Sequence, residues 1–346
     1  MAKPTLEAKY LGAMIGSAVG DAIGELAFHY PKRNKLSQVV EGVAELRYTD
    51  DTAMAIGLAT SLVKKGYLDG QDLGETFRRN FEREPWRGYA TGPPTIFTMV
   101  RSLGIPYAQA AQSLFGGSGS FGNGAAMRIA PLGLLFHESL QIYEHACDSA
   151  EVTHSHPVGK DGAALQARAV ARVVKLDPQK EFLFHVFVRD LIDFSRTNEI
   201  RGKMELLEEL LNQNVTPPLA AKQLGQSVAV QESMPFAIYS FVRHPRSFED
   251  CLDCAIMHGG DRDTLGAMAG AISGAYLGAE AIPSGWRRKL ENRQTIEELA
   301  LELAERTVSS RQQIGSCNNS EVGRQRTEDS WQRTASRFKA MRKSGS

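Results

Sequence analysis

Apolar residues recur at three- and four-residue spacing over residues 5–26, 52–66, 124–137, 159–175, 200–213, 264–279 and 294–307. That is the period of helices with one face turned inward. Strand-like alternation is scarce and no β-α-β rhythm appears, so the chain reads as an all-α fold of many packed helices. No repeat of solenoid length is present. Two of these helices carry glycine at every fourth position: Gly12, Gly16, Gly20 and Gly24 in one, Gly266, Gly270, Gly274 and Gly278 in the other. Glycine inside a helix costs about 1 kcal/mol relative to alanine, so a ridge of them needs a reason. Close approach of two backbones supplies one. The spacing predicts that these helices sit centrally, pack against each other, and bring the sequence around Asp21 close to that around Asp261.

Composition narrows the class. Of 346 residues, 42% are hydrophobic and 23% charged, which excludes wholesale disorder and collagen-like structure. The length allows one large domain or two. Lys+Arg and Asp+Glu balance at 40 each, so a nucleic-acid partner is not expected. No uninterrupted apolar run reaches the roughly 18 residues of a membrane span; the best are broken by Asp21 and Glu280. No signal-peptide pattern is visible at the N-terminus. Four cysteines, Cys147, Cys251, Cys254 and Cys317, are too few for a disulfide scaffold, and a reduced, cytoplasmic protein is expected. Residues 309–346 differ from the rest: rich in Ser, Gln and Asn, with eight Lys or Arg against three Asp or Glu. The reading is a domain over 1–308 and a basic, flexible extension over 309–346. Alternatively the extension is a partner-binding arm, with Trp331 and Phe338 seven apart on one helical face.

Two acidic segments carry the candidate chemistry. Tyr48-Thr49-Asp50-Asp51-Thr52 precedes a helical run. Capping explains one acid there; two adjacent acids between threonines exceed that need. Gly259-Gly260-Asp261-Arg262-Asp263-Thr264 opens a second helix. An EF-hand counted from Asp261 would need Glu at its twelfth position, which is Ile272, so that reading is excluded. Four carboxylates brought together repel unless a cation neutralises them. Oxygen-only donors suit Mg²⁺ or Mn²⁺, and four acids can hold two such ions. A third segment, Gly116 to Gly124, contains a GxGxxG string over Gly117–Gly122. A helix rather than a strand precedes it, so it is a weak dinucleotide fingerprint. It reads as a phosphate or diphosphate cradle, or else as a flexible turn. Cys251 and Cys254 read as buried packing groups rather than zinc ligands. His154, in Thr153-His154-Ser155-His156, reads as a helix-end or loop histidine, with a ligand site the alternative. Trp86 and Tyr89 read as packing groups, with stacking on a nucleotide base the alternative.

Taken in order, GDAIG (Gly20–Gly24), YTDDT (Tyr48–Thr52), GSFGNGAAMR (Gly119–Arg128), THSH (Thr153–His156) and GGDRDT (Gly259–Thr264) resemble the ADP-ribosylglycohydrolase family, which includes the dinitrogenase-reductase-activating glycohydrolases. The likeness spans roughly residues 8–305. It implies a single large orthogonal multi-helix bundle with a binuclear magnesium centre. Thr49, Asp50 and Asp51 would be metal ligands from one side, and Asp261, Asp263 and Thr264 from the other. Gly119, Ser120, Phe121, Gly122 and Asn123 would hold the diphosphate and distal ribose of ADP-ribose, with His154 close to the ligand. Many members carry a catalytic Glu four residues after the second glycine of GDxxG. Here that position is Phe28, and Glu25 follows Gly24 directly. The implied activity is hydrolysis of the C1″ glycosidic bond of ADP-ribose, with Asp50, Asp51 and Glu25 as catalytic candidates. The substrate would be an ADP-ribosylated protein or an ADP-ribose-containing small molecule. The missing Glu tilts the expectation slightly to arginine-linked ADP-ribose. Serine- or other O-linked substrates, or a non-catalytic ADP-ribose-binding relative, are the alternatives.

Overall fold

The computed structural model describes residues 3–319. The helices are, in order, α1 (Leu6–His29), α2 (Arg33–Gly42), α3 (Asp50–Lys65), α4 (Gly70–Arg83), α5 (Gly92–Leu103), α6 (Tyr107–Gly117), α7 (Gly124–Met127), α8 (Ala130–Leu135), α9 (Ile142–Glu151), α10 (Pro157–Val173), α11 (Phe184–Phe194), α12 (Asn198–Asn212), α13 (Pro217–Leu224), α14 (Val230–Arg243), α15 (Phe248–Ile256), α16 (Arg262–Leu277), α17 (Ser284–Lys289) and α18 (Arg293–Asn319). Among the described residues no strand forms, and the extended pairing consists of two isolated bridges, Leu46 with Leu290 and Gly122 with Ala229. The fold is all-α, as the periodicity predicts. One compact unit covers Met1–Ala304; a second begins at Glu305. Trp331, Phe338 and most of the basic segment lie outside the described residues.

The two glycine ridges meet. A Cβ added to Gly12 would stand 2.2 Å from the Gly274 carbonyl oxygen, one on Gly16 2.5 Å from that of Gly270, and one on Gly20 2.0 Å from that of Gly266. The pairing runs in opposite directions along the chain, so α1 and α16 are antiparallel, with backbone resting on backbone. Around this pair α16 also contacts α10, α14 and α15, and α1 contacts α3 and α8. By length and composition α1 does qualify as a membrane span, with a mean hydropathy of 1.3, but 78% of that window is buried inside the protein. Its apolar sides face protein all round.

One expected helix is broken. Residues 124–137 form α7 and α8, separated at Arg128 and Ile129. Pro131 in the first turn of α8 has no N–H to give and constrains the residue before it. Cys251 and Cys254 are buried in α15, the packing role read from sequence. Trp86, by contrast, is 71% exposed and packs into no core.

Candidate active site

The site is built where α3 and α16 begin, and α1 joins them. A Cβ on Gly24 would lie 2.3 Å from the Arg262 carbonyl oxygen and 2.6 Å from the Asp263 Cα, so the glycine ridge delivers the first turn of α16 to the region of Asp21. Asp21 is fully buried. Its carboxylate accepts from the Thr49 backbone N–H at 3.1 Å, the Thr49 hydroxyl at 2.8 Å, the Thr52 N–H at 3.0 Å and the Thr52 hydroxyl at 2.6 Å. It therefore caps α3 from another helix. The sequence places the region of Asp21 near Asp261 but gives Asp21 itself no role in the site. The signal that could have found it is the cost of a lone acid in a buried helix, which demands hydrogen-bond donors, and the threonines of the TDDT segment are donors.

Thr49 is the local N-cap of α3, and its oxygen accepts weakly from Asp51 N–H at 3.4 Å. Its hydroxyl also lies 3.2 Å from an Asp51 oxygen. With one proton to give and Asp21 closer, it leaves Asp51 poorly served. The other Asp51 oxygen, Oδ1, is buried and has no hydrogen-bond partner among the described residues. Asp261 begins α16 without capping it: one carboxylate oxygen instead accepts from the Asn123 amide at 2.7 Å, and its N–H donates to Gln226 O at 2.8 Å. Asp263 accepts from the Thr264 N–H at 2.9 Å.

Charge crowding shows in the acidities. Burial, and then the charge of Asp21, push Asp50 up to about 7. Burial and then Asp261 push Asp263 up to about 8. Asp51 is driven well above the usual carboxylate range by burial and then by Asp263. Asp21 rises to about 6 through burial, opposed by its threonine donors. Arg128 is fully buried over the Phe77 ring at 4.6 Å, and donates to Gly124 O and Ser149 O at 3.1 and 3.2 Å; its charge favours ionised Asp50.

A cavity of about 340 Å³ opens over these groups. Asp50, Asp51, Asp261, Asp263 and Thr264 line it, with Ser120, Gly122, Asn123 and His154. Of the other candidates, Thr49 stands behind this lining with its hydroxyl turned to Asp21. Gly119 packs against Ser155 and His156, and the Phe121 ring against that of His156 at 5.4 Å. Glu25 lies one turn beyond Asp21 on α1, outside the lining, and Phe28 is 43% exposed near the end of that helix.

The glycine-rich loop is held rather than loose. Asn123 N–H donates to Val228 O at 2.9 Å, and Val230 N–H to Phe121 O at 3.1 Å. Since Gln226 O also holds Asp261, the stretch 226–230 straps the loop to the start of α16. Asn123 is thus committed to Asp261 and, through the same amide, to Ser233 at 3.1 Å. Phe115, at the cavity rim, takes the left-handed conformation with φ of 53° although it is not glycine. His154 is buried with Nδ1 2.7 Å from the Thr153 hydroxyl; burial, then Arg128, push its pKa down to about 3, so the imidazole is neutral. The Tyr89 ring packs edge-on against Phe81 at 5.2 Å, while its buried hydroxyl finds no partner among the described residues.

Do these residues fit a metal centre? Among the described residues, no three His, Cys, Asp or Glu side chains stand close enough to hold an ion as they are. The donor set fits in kind, however. It consists of oxygens only, it carries four lining carboxylates against one nearby guanidinium, and it includes an orphaned carboxylate oxygen. Such donors suit a hard ion, and an ion bound among them would neutralise the crowded carboxylates and give the orphaned oxygen a partner.

The chain is also similar to known proteins over most of its length. The family model described as ADP-ribosylglycohydrolase matches residues 2–313. The human protein ADP-ribosylhydrolase ARH3 is 30% identical over 336 residues, covering 85% of this chain and 92% of the relative. The Rhodospirillum rubrum ADP-ribosyl-[dinitrogen reductase] glycohydrolase is 28% identical over 323 residues, covering 84% and 93%. A solved structure described as an ADP-ribosylglycohydrolase-related protein complex superposes with a TM-score of 0.62 at 27% identity, covering 87% of this chain and 99% of its own.

Proposed function

The chain belongs to the ADP-ribosylglycohydrolase family and is an ADP-ribosyl glycohydrolase; from that premise we propose that it removes ADP-ribose from modified protein side chains in a Mg²⁺-dependent reaction, with arginine-linked ADP-ribose preferred. One observation carries the reading: two acidic helix starts face one cavity of about 340 Å³, and a buried carboxylate oxygen of Asp51 lacks a partner among the described residues. Thr49, Asp50 and Asp51 on one side and Asp261, Asp263 and Thr264 on the other would hold two ions, Thr49 through a hydroxyl lone pair while its proton is given to Asp21. When bound, such ions supply charge neutralisation, a grip on ribose hydroxyls and a more acidic water.

The protein's own groups do the rest. Asp21 fixes the first turn of α3, and Asn123 aims Asp261. Ser120, Gly122 and neutral His154 face the diphosphate and ribose. Asp50 or Asp51 accepts the proton of the attacking water as the C1″ bond breaks through an oxocarbenium-like state. The linkage preference follows from leaving-group chemistry. A modified arginine departs as neutral guanidine without an acid, whereas a serine alkoxide needs a proton. The four acids lining the cavity, ionised as ligands, can accept a proton but have none to give the leaving group, and neither Glu25 nor Phe28 lines it.

The test is ADP-ribose release from arginine-linked and serine-linked modified protein, with Mg²⁺ and with EDTA. Mg²⁺-dependent release, faster from arginine, is expected. Faster release from serine refutes the linkage, and undiminished release in EDTA refutes the metal. Binding of ADP-ribose with no release from either substrate leaves a non-catalytic reader.

A further inference from the structure

Beside the acidic start of α3, and outside the cavity lining, lies an arginine with every donor engaged. Arg87 is 8% exposed. Its Nε–H and one Nη2–H donate to the two oxygens of Glu84, both at 3.1 Å. The second Nη2–H and one Nη1–H donate to Glu291 at 2.9 and 2.7 Å. The fifth donor, on Nη1, reaches the Tyr48 carbonyl at 3.0 Å. The guanidinium plane also lies over the Tyr48 ring, 4.2 Å from its centre. A guanidinium has five N–H groups in a rigid fork, and here they join three separate stretches of chain. Leu46, two residues before Tyr48, is tied to the same partner stretch by its backbone, donating to Lys289 O at 2.8 Å and accepting from Glu291 N–H at 3.0 Å. The approach to Asp50 is thus held at Leu46 and again at Tyr48. The chain on the other side of Arg87 also touches the site: a Cβ on Gly88 would lie 3.8 Å from an Asp50 carboxylate oxygen, and Gly88 lines the cavity.

We propose that Arg87 is a positioning residue for the acidic pair Asp50–Asp51: by fixing the Tyr48 carbonyl on one side and carrying Gly88 against Asp50 on the other, it sets the single orientation in which both carboxylates meet a divalent cation. This rests on the metal reading above. Ion-pair stability alone would not need the fifth bond to a backbone carbonyl next to the candidate ligands. Arg168 supplies a comparator of purely structural kind, with a two-pronged pair to Asp190 at 2.9 and 2.8 Å and a ring contact with Phe194.

The experiment titrates Mn²⁺ into substrate-free protein, following the free-ion EPR signal, for wild type, Arg87→Lys and Arg168→Lys, with kcat, KM and thermal melting alongside. Lysine keeps the charge but cannot span three acceptors. Arg87→Lys is expected to weaken Mn²⁺ binding about 10-fold or more and to lower kcat similarly, with KM within about 3-fold, the range of supporting residues around metal ligands. Arg168→Lys lowers the melting temperature but leaves Mn²⁺ affinity intact. Wild-type affinity and kcat in a folded Arg87→Lys protein overturn the inference alone. A wild type that binds no Mn²⁺ overturns the metal reading, and this inference with it. If Arg87→Lys does not fold, Glu291→Gln carries the same titration: weaker Mn²⁺ binding supports the positioning role, and unchanged binding overturns it.

Discussion

Substituting alanine for Gly20 tests the central claim of the fold, that α1 and α16 touch through their backbones. The new Cβ would lie 2.0 Å from the Gly266 carbonyl oxygen and 2.5 Å from its carbon. Comfortable carbon contacts are about 3.5–4.0 Å, so the pair must open by more than about 1 Å. The obstacle is backbone and cannot rotate away as a side-chain tip could. Overpacking of this kind costs about 1–3 kcal/mol and sometimes more, with the rigid obstacle placing it at the upper end. Better helix propensity returns about 1 kcal/mol. The net expectation is a loss of about 2 kcal/mol, or a fall in melting temperature of about 3 °C in a unit of this size. Gly202 is the matched control: it lies in α12, exposed, with nothing within 4 Å of an added Cβ, so Gly202→Ala should raise the melting temperature by about 1–2 °C through propensity alone. Thermal melts of the two variants beside wild type decide the matter. A Gly20→Ala protein as stable as wild type would falsify the backbone contact. The same opening separates Asp21 from Asp263, so catalytic activity should fall more steeply than stability.

Asp21→Asn turns an amide NH₂ toward threonine donors, and loss of charge-assisted bonds should cost about 2–3 kcal/mol and depress metal binding; unchanged melting and Mn²⁺ affinity would remove Asp21 from its organising role. Tyr89→Phe deletes a hydroxyl without a partner and should be neutral or stabilising by up to about 1 kcal/mol; a clear loss on melting would mean the hydroxyl is bonded after all. In EDTA, stability should fall as pH rises from 6 to 8: the folded carboxyls at about 6 to 8 bind more protons than their unfolded counterparts across that window, so raising the pH works against the fold. Excess Mg²⁺ should flatten the trend, and a flat or rising profile in EDTA would contradict the clustering of the acids.

Much of this was legible in the sequence because it is written in local patterns. Glycine every fourth residue can only signal close approach when it is that costly, and the two acidic helix starts stand out by excess over capping. What escaped depends on partners far along the chain. Asn123 reads as a ligand contact because it ends a glycine-rich loop, but nothing local shows that its amide also holds Asp261, 138 residues away. Thr49 reads as a ligand, but nothing local shows that its hydroxyl also donates to Asp21 in another helix. Arg87 gave no local signal at all, since Glu291 lies 204 residues on. The break between α7 and α8, by contrast, was readable from Pro131.

The glycine pairing also makes the site's geometry a matter of whole steps. Two ridges with a four-residue repeat fit together like the teeth of a rack. Sliding one helix by a tooth would carry it about 6 Å along its neighbour, and intermediate offsets set a Cβ-bearing residue against backbone. The register between the acids of α3, held by Asp21, and those of α16 is therefore set by the glycines rather than by the surrounding core. Mutations of that core should leave the register in place, and loss of a glycine should disturb it.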